Sequence, residues 1–309
     1  MKEQANVWWR IAKVVLGLII LSFFLSIILS FFIEDDFESF DGNVALIEIT
    51  GLIVTESEGL FFEELASSED ITKLIRKADK NERIKSIVFK INSPGGSAVA
   101  SEEIANEIKK ANKTTVAWIT ESGTSGAYWV ASAADHIIAN RMSITGSIGV
   151  IASYLGFSGF LEEHNVSYER LVSGNLKDIG SPLKEMTQEE KVLFQKSLDS
   201  IHEYFVEEIA KNRNLKKRDV EKIATGQFFI GAEAKELGLV DELGGRDEVI
   251  AYLEEQLGEE VDFTKYESEK GFFSTFGDIF SKWSFYAGKG IGSVFADKAE
   301  KPGSVRITT

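Results

Sequence analysis

The residues best placed to do chemistry in this sequence are a serine and a lysine, each set among glycines. Ser125 lies in Gly123-Thr124-Ser125-Gly126-Ala127-Tyr128, after an apolar stretch, Val116 to Thr120, that reads as a short buried strand. The apolar residues Ala127 to Ala134 that follow read as the start of a helix, so the serine falls at a strand-to-helix turn. A hydroxyl there is exposed on rigid backbone, which suits a nucleophile. The glycines allow unusual backbone angles, and the Gly126 amide, at a helix N-terminus, can point at a developing oxyanion. The same small residues also suit a helix packed closely on a sheet, so the hexapeptide alone leaves both readings open. Lys177, in the polar loop Ser173 to Pro182, is the candidate base, although on composition alone the simpler reading is a solvated surface lysine.

A serine hydroxyl needs a base, and a lysine serves only when neutral. Bringing an ordinary lysine from about 10.4 toward 7 to 8 costs roughly 3 to 5 kcal/mol. Apolar walls and a neighbouring hydroxyl can supply that, whereas a close carboxylate opposes it. Asp178 is therefore expected to point away.

Composition removes several alternatives. There are no cysteines, which excludes disulfides and thiolate metal sites. His136, His164 and His202 lie far apart without ligand spacing, so no metal site is expected. A formal charge of -15 argues against a nucleic-acid partner, since phosphate contacts need clustered Lys and Arg.

The elements that must position Ser125 and Lys177 follow a βαβ rhythm with a largely parallel sheet. Val44 to Val54, broken at Gly51, reads as a first strand and turn. Ile71, Leu74, Ile75 and Ala78 have helical spacing, and Ile84 to Ile91 is a strand running into the loop Asn92-Ser93-Pro94-Gly95-Gly96. Ile104, Ala105, Ile108 and Ala111 mark the next helix. Ile137 to Ala139 reads as a short strand, Thr145 to Val150 as a Gly-punctuated turn, and Tyr168 to Val172 as another strand. Thr187-Gln188-Glu189-Glu190 is a capping box ahead of a long helix to about Asn212. A further helix spans Lys216 to Ala224, and Asp247 to Gln256 closes the domain.

Before that domain, Val14 to Ile33 is uncharged and almost wholly apolar, long enough to cross a bilayer as one retained helix. Lys2, Arg10 and Lys13 precede it and Glu34, Asp35, Asp36 and Glu38 follow it, which by the positive-inside rule places the N-terminus in the cytoplasm. The expected organisation is a cytoplasmic N-terminus (1–13), a transmembrane anchor (14–33), an acidic linker (34–43), an extracytoplasmic globular domain (44–260) and a C-terminal tail (261–309). In the tail Phe272, Phe273, Phe276, Ile279, Phe280, Trp283 and Tyr286 recur at near-helical spacing, the pattern of an amphipathic helix lying on a membrane, on the core or on a neighbour.

Taken together, Asn92 to Gly96, Gly123 to Trp129, Thr145 to Val150 and Gly174 to Pro182 resemble the ordered motifs of signal peptide peptidase A, in its single-copy, membrane-anchored form. The similarity runs from about Val44 to Gly245. It implies an α/β, Clp-protease/crotonase-like fold with repeated β-β-α and βαβ units. It also implies a homo-oligomeric ring, no cofactor, and a Ser/Lys dyad that degrades remnant signal peptides and other apolar peptides at the plasma membrane. On this resemblance Ser125 corresponds to the nucleophile and Lys177 to the general base. The amides of Gly96 and Gly126 correspond to the oxyanion hole, and Ser147 to a hydroxyl that helps hold the lysine. In relatives of this length the serine and lysine of one site are expected to come from neighbouring subunits. Gly-Thr-Ser-Gly-Ala stands where many relatives have Ala-Ala-Ser-Gly-Gly, which bears on substrate preference more than on catalysis. Two other readings stand beside this one. The first is an α/β-hydrolase in which His164 or His202 is the base, and the second a membrane-anchored scaffold that binds apolar peptides without cutting them.

Overall fold

A computed structural model of the chain describes residues 2–32, 42–56 and 65–267. The chain divides into two units, Met1–Asp41 and Gly42–Thr309. In the first, α1 (Lys2–Phe32) is one continuous helix, and its side chains from Lys13 to Ser26 are exposed. Among the described residues no helix is long and apolar enough to cross a membrane, the side chains of α1 beyond Ser26 lying outside that description. The expected linker up to Asp41 and the aromatic tail from residue 268 also lie outside the described residues.

In the second unit, β1 (Val44–Thr50) turns at Gly51, which has a φ of 80°, into β2 (Leu52–Val54). Next come β3 (Leu65–Ser67) and α2 (Ser68–Lys80), whose N-cap Ser67 accepts from the Asp70 amide and whose Ile71, Ile75 and Ala78 face the core at helical spacing. Then follow β4 (Ser86–Ser93), α3 (Ala98–Ile108), β5 (Thr114–Thr124), α4 (Gly126–Ser132), β6 (His136–Ala139) and β7 (Ile144–Gly146). The chain continues through α5 (Ser158–Glu163), α6 (Gln188–Asn212), α7 (Lys217–Ile223), β8 (Phe228–Ile230), α8 (Gly231–Glu236), β9 (Glu242–Leu243), α9 (Arg246–Leu257) and β10 (Phe263–Tyr266). The capping box read at Thr187 is present, with Thr187 and Glu190 exchanging bonds at the start of α6.

The main sheet runs β10-β1-β4-β5-β6-β9 with every pair on this path parallel; β7 adds to the end of β5 and pairs antiparallel with β8. β2 and β3 form a small second parallel sheet. Parallel strands covered on both faces need continuous apolar runs. Ile47, Ile49, Ile87, Phe89, Ile91 and Ile119 are accordingly fully buried. So are Val44, Val88, Val116 and Ile138, which meet Val249 and Leu253 of α9. At about 1.5 to 3 kcal/mol for each such side chain, their burial is a large stabilising contribution to β1, β4 and β5. β10, which closes the sheet beside β1, carries too short a pattern to be read from sequence.

The strand expected over Tyr168 to Val172 does not form. Those residues are irregular and exposed, as is most of the chain from Ile151 to Lys177. Leu171 is 96% and Ile151 88% exposed, so the β-prone composition here meets no partner strand among the described residues, and a strand exists only through such pairing.

Candidate active site

Strand pairing brings three of the four glycine-rich motifs to the C-terminal ends of β4, β5 and β7, the edge where open parallel sheets place their sites. The register of β4 against β5 shifts beyond Ile91 so that Ser93 pairs with Gly123, while Gly123 and Thr124 pair with Thr145 and Gly146. Ser125 thus leaves β5 beside both the Pro-Gly-Gly loop and the start of the Ser147 turn.

Ser125 has φ 53° and ψ -125°, a conformation that costs a non-glycine residue about 1 to 3 kcal/mol and persists only when its surroundings enforce it. Here they do. The Ser125 amide donates to the Gly146 carbonyl at 2.8 Å, and its own carbonyl accepts from Tyr128 and Trp129 at 2.9 and 3.1 Å. Behind it every residue of α4 is buried, and the Tyr128 hydroxyl, which burial pushes well above the usual phenol range, donates to the Leu239 carbonyl at 2.8 Å. The Ser125 side chain is half-buried and makes no cap bond to its own helix.

The loop after β4 is clamped from the other side. Ile53 of β2 donates to Gly95 O and accepts from Ser97 N, both at 2.9 Å. This parallel bridge uses the residues on either side of Gly96 and leaves the Gly96 amide facing away from Ile53. The buried Ser93 hydroxyl accepts from Gly95 N at 3.1 Å and fixes the turn. The Gly96 nitrogen lies 3.4 Å from where a Cβ on Gly126 would stand, and a Cβ on Gly95 would come 2.7 Å from Gly126 N and 3.0 Å from Ser125 Cβ. Two backbone amides therefore converge beside the serine, and among the described residues neither has a hydrogen-bond acceptor. Such a pair can stabilise a tetrahedral oxyanion. The glycines are sterically required, since a Cβ on Gly96 would stand 2.1 Å from Ile53 O and one on Gly126 2.3 Å from Ser101 Oγ.

Ser147 follows Gly146, whose carbonyl pins Ser125. It too has positive φ, 51°, held by Ser147 N donating to Gln227 O at 2.8 Å, and its hydroxyl donates to Gly226 O at 3.2 Å. Ser125, Gly96, Gly126 and Ser147 are thus gathered by one framework. Lys177 is not. It lies in a tight exposed turn, its amide donating to Gly174 O at 3.1 Å, and no hydrogen bond joins it to Ser125 or Ser147. The Asp178 carboxylate is taken by Arg170 at 2.6 Å.

No histidine bonds Ser125 either. His202 Nε2 meets the Ala224 carbonyl and His164 Nδ1 the Phe160 carbonyl, each at 2.9 Å, and His136 stacks on Tyr252 near Asp241 and Glu242. Among the described residues no cluster of His, Asp or Glu could hold a metal ion. A cavity of about 750 Å³ opens beside Thr120, Glu121, Ser122 and Met142, with neither Ser125 nor Lys177 in its wall. Sequence reasoning missed Ile53, Ser93, Ser101 and Arg170, because each acts through a bond or contact that no local pattern announces.

Comparison with known proteins places the chain in a family. Residues 107–260 match Peptidase family S49, a span that contains Ser125, Gly126, Ser147 and Lys177. A candidate protease of Methanocaldococcus jannaschii is 31% identical over 257 residues, covering 82% of this chain and 81% of that protein. Protease 4 of Haemophilus influenzae is 32% identical over 71% of this chain but only 36% of its own length. A candidate signal peptide peptidase SppA of Enterococcus faecium is 32% identical over 69% of this chain and 63% of its own.

Proposed function

The chain belongs to peptidase family S49 and is a serine-type protease of the signal peptide peptidase A kind, and from that premise we propose that it cuts peptides with Ser125 as nucleophile and Lys177 as general base. The neutral amine of Lys177 takes the Ser125 proton as Oγ attacks the scissile carbonyl. The oxyanion then accepts from the Gly96 and Gly126 amides, each worth about 10²- to 10³-fold in rate. The lysine ammonium protonates the leaving amine, and the same lysine next activates the water that releases the acyl group. Ser147 offers the lysine a hydroxyl rather than a charge. The observation that carries this reading is the enforced positive φ of Ser125 beside two converging amides without acceptors.

In this reading the site is shared between neighbouring subunits of a homo-oligomeric ring of crotonase-like domains. Support comes from the parallel sheet with its small β2–β3 companion, and from the exposed apolar Ile151, Leu155 and Leu171 on the segment that leads to Lys177. A heterologous contact between copies would cover those residues and repeat the site at each interface. The uncharged run Val14 to Ile33, most of it within α1, supports a single-pass anchor with the peptidase domain outside the plasma membrane. Remnant signal peptides and other apolar peptides are then the first substrates it meets. In the full-length protein Ser125→Ala and Lys177→Ala are each expected to lower peptide hydrolysis at least about 10⁴-fold with folding intact, and a serine-directed reagent to label Ser125. Full activity in either variant would refute the dyad.

A further inference from the structure

One ion pair that the proposed reaction does not use brackets Lys177. Arg170 donates from Nε and Nη2 to the two carboxylate oxygens of Asp178 at 2.6 and 2.8 Å, and Nη2 also donates to the Asn175 carbonyl at 2.8 Å. One guanidinium therefore ties both ends of the turn Asn175 to Asp178, with Lys177 between them. On its other side Asp178 is 3.5 Å from Lys184 Nζ, which reaches Glu190 at 2.5 Å. Glu190 is buried and is the residue that closes the capping box of α6. Through these charges the exposed lysine turn is tied to the start of a 25-residue helix.

The Arg170 hydrogen bonds hold the Asp178 carboxyl down to about 2, so it is anionic wherever a protease of this kind works. The groups that face this pair are Lys184, Glu190 and Tyr168, and Glu190 is already engaged by Lys184 and the Thr187 amide. Released from Arg170, the carboxylate would stand one residue from Lys177 with only Lys184, 3.5 Å away and itself bound to Glu190, to share its charge. A carboxylate that close favours an ammonium, the form that cannot accept a proton.

We propose that Arg170 is a positioning residue that occupies the Asp178 carboxylate and fixes the turn, so that Lys177 is presented as a free amine instead of pairing with its own neighbour. The proposal rests on the reading of Lys177 as the general base. Its test is the pH profile of kcat/KM on an apolar peptide, measured with the full-length protein in detergent micelles. Arg170→Met is expected to move the rising limb upward by about one unit, roughly a tenfold loss near neutrality that recovers at high pH. Arg170→Met combined with Asp178→Asn should return the limb to its original position at a lower plateau, because the carboxylate is gone while the turn stays loose. Arg170→Lys keeps the cation without the fork, so the limb stays and the plateau falls. An unshifted limb in Arg170→Met, or a double variant that matches Arg170→Met, would overturn the proposal in favour of a merely structural pair. If Arg170→Met does not fold, Arg170→Lys and Asp178→Asn carry the test, and a limb moved upward in either overturns it. An active Lys177→Ala protein is a separate outcome, which removes the base assignment itself.

Discussion

The serine half and the lysine half of the candidate site are held in place by opposite means. Ser125, Gly96 and Gly126 sit at the ends of β4 and β5, on strands whose apolar side chains, Trp118 apart, are buried, and backbone bonds from Ile53 and Gly146 set their angles. Lys177 stands on a segment that is exposed from Ile151 onward apart from Ser158 and Leu161, and ion pairs secure its turn. The first half is complete within one chain. The second is exposed and carries apolar surface at Ile151, Leu155 and Leu171, the features on which the proposed shared site rests. Close packing can fix a strained nucleophile, whereas charge pairs are what hold an exposed turn that has little packing of its own.

Three changes bear on this contrast. The largest effect in the serine half, short of removing Ser125, is expected from Gly96→Ala, whose Cβ would collide with Ile53 O and displace one amide donor. A fall in kcat of about 10²- to 10³-fold with KM little changed is the expected outcome by steady-state kinetics. A loss confined to KM would show that the amide serves binding instead.

Asp241→Asn tests the framework alone. Burial pushes the Asp241 carboxyl up, but bonds from Arg213 at 3.0 and 2.5 Å and from the Ile137 amide at 2.8 Å outweigh this and leave it below the ordinary carboxylate range. Arg213 is only 7% exposed, so loss of its partner should cost about 3 kcal/mol, read as a lower Tm. Because the folded-state value is depressed, this stability is present above about pH 4 and is lost as pH falls through the folded value. The wild-type Tm should therefore drop more steeply below that pH than the Tm of Asp241→Asn. Equal acid slopes would mean the pair does not titrate with folding.

The smallest effect is expected from replacing His164 and His202 with Gln together, which should change kcat by less than about tenfold. Both rings bond backbone carbonyls and neither reaches Ser125. A larger loss without unfolding would return a histidine to the mechanism.

The sequence disclosed the serine half well because its signals are local. A strand, a glycine-flanked serine and an apolar helix follow one another along the chain, and β5 and α4 stand where Val116 to Thr120 and Ala127 to Ala134 implied. The meeting of the Pro-Gly-Gly loop with Ser125 depends instead on Ser93 pairing with Gly123, which no local pattern encodes. The strand expected over Tyr168 to Val172 failed for a related reason, since β-prone residues become a strand only beside a partner, and none pairs with them among the described residues. Arg170 stayed hidden because a solvated arginine and one that holds a carboxylate look alike in sequence.

The central claim is that one active site takes its serine and its lysine from two chains, and co-assembly tests it most directly. Ser125→Ala chains and Lys177→Ala chains, each inactive alone and each carrying its own tag, are mixed and the hybrid rings isolated through both tags. If sites are shared and mixing is random, about a quarter of the interfaces join an intact serine to an intact lysine, and peptide hydrolysis returns to roughly that fraction of wild type. Hybrid rings that contain both tags and remain inactive would contradict the account.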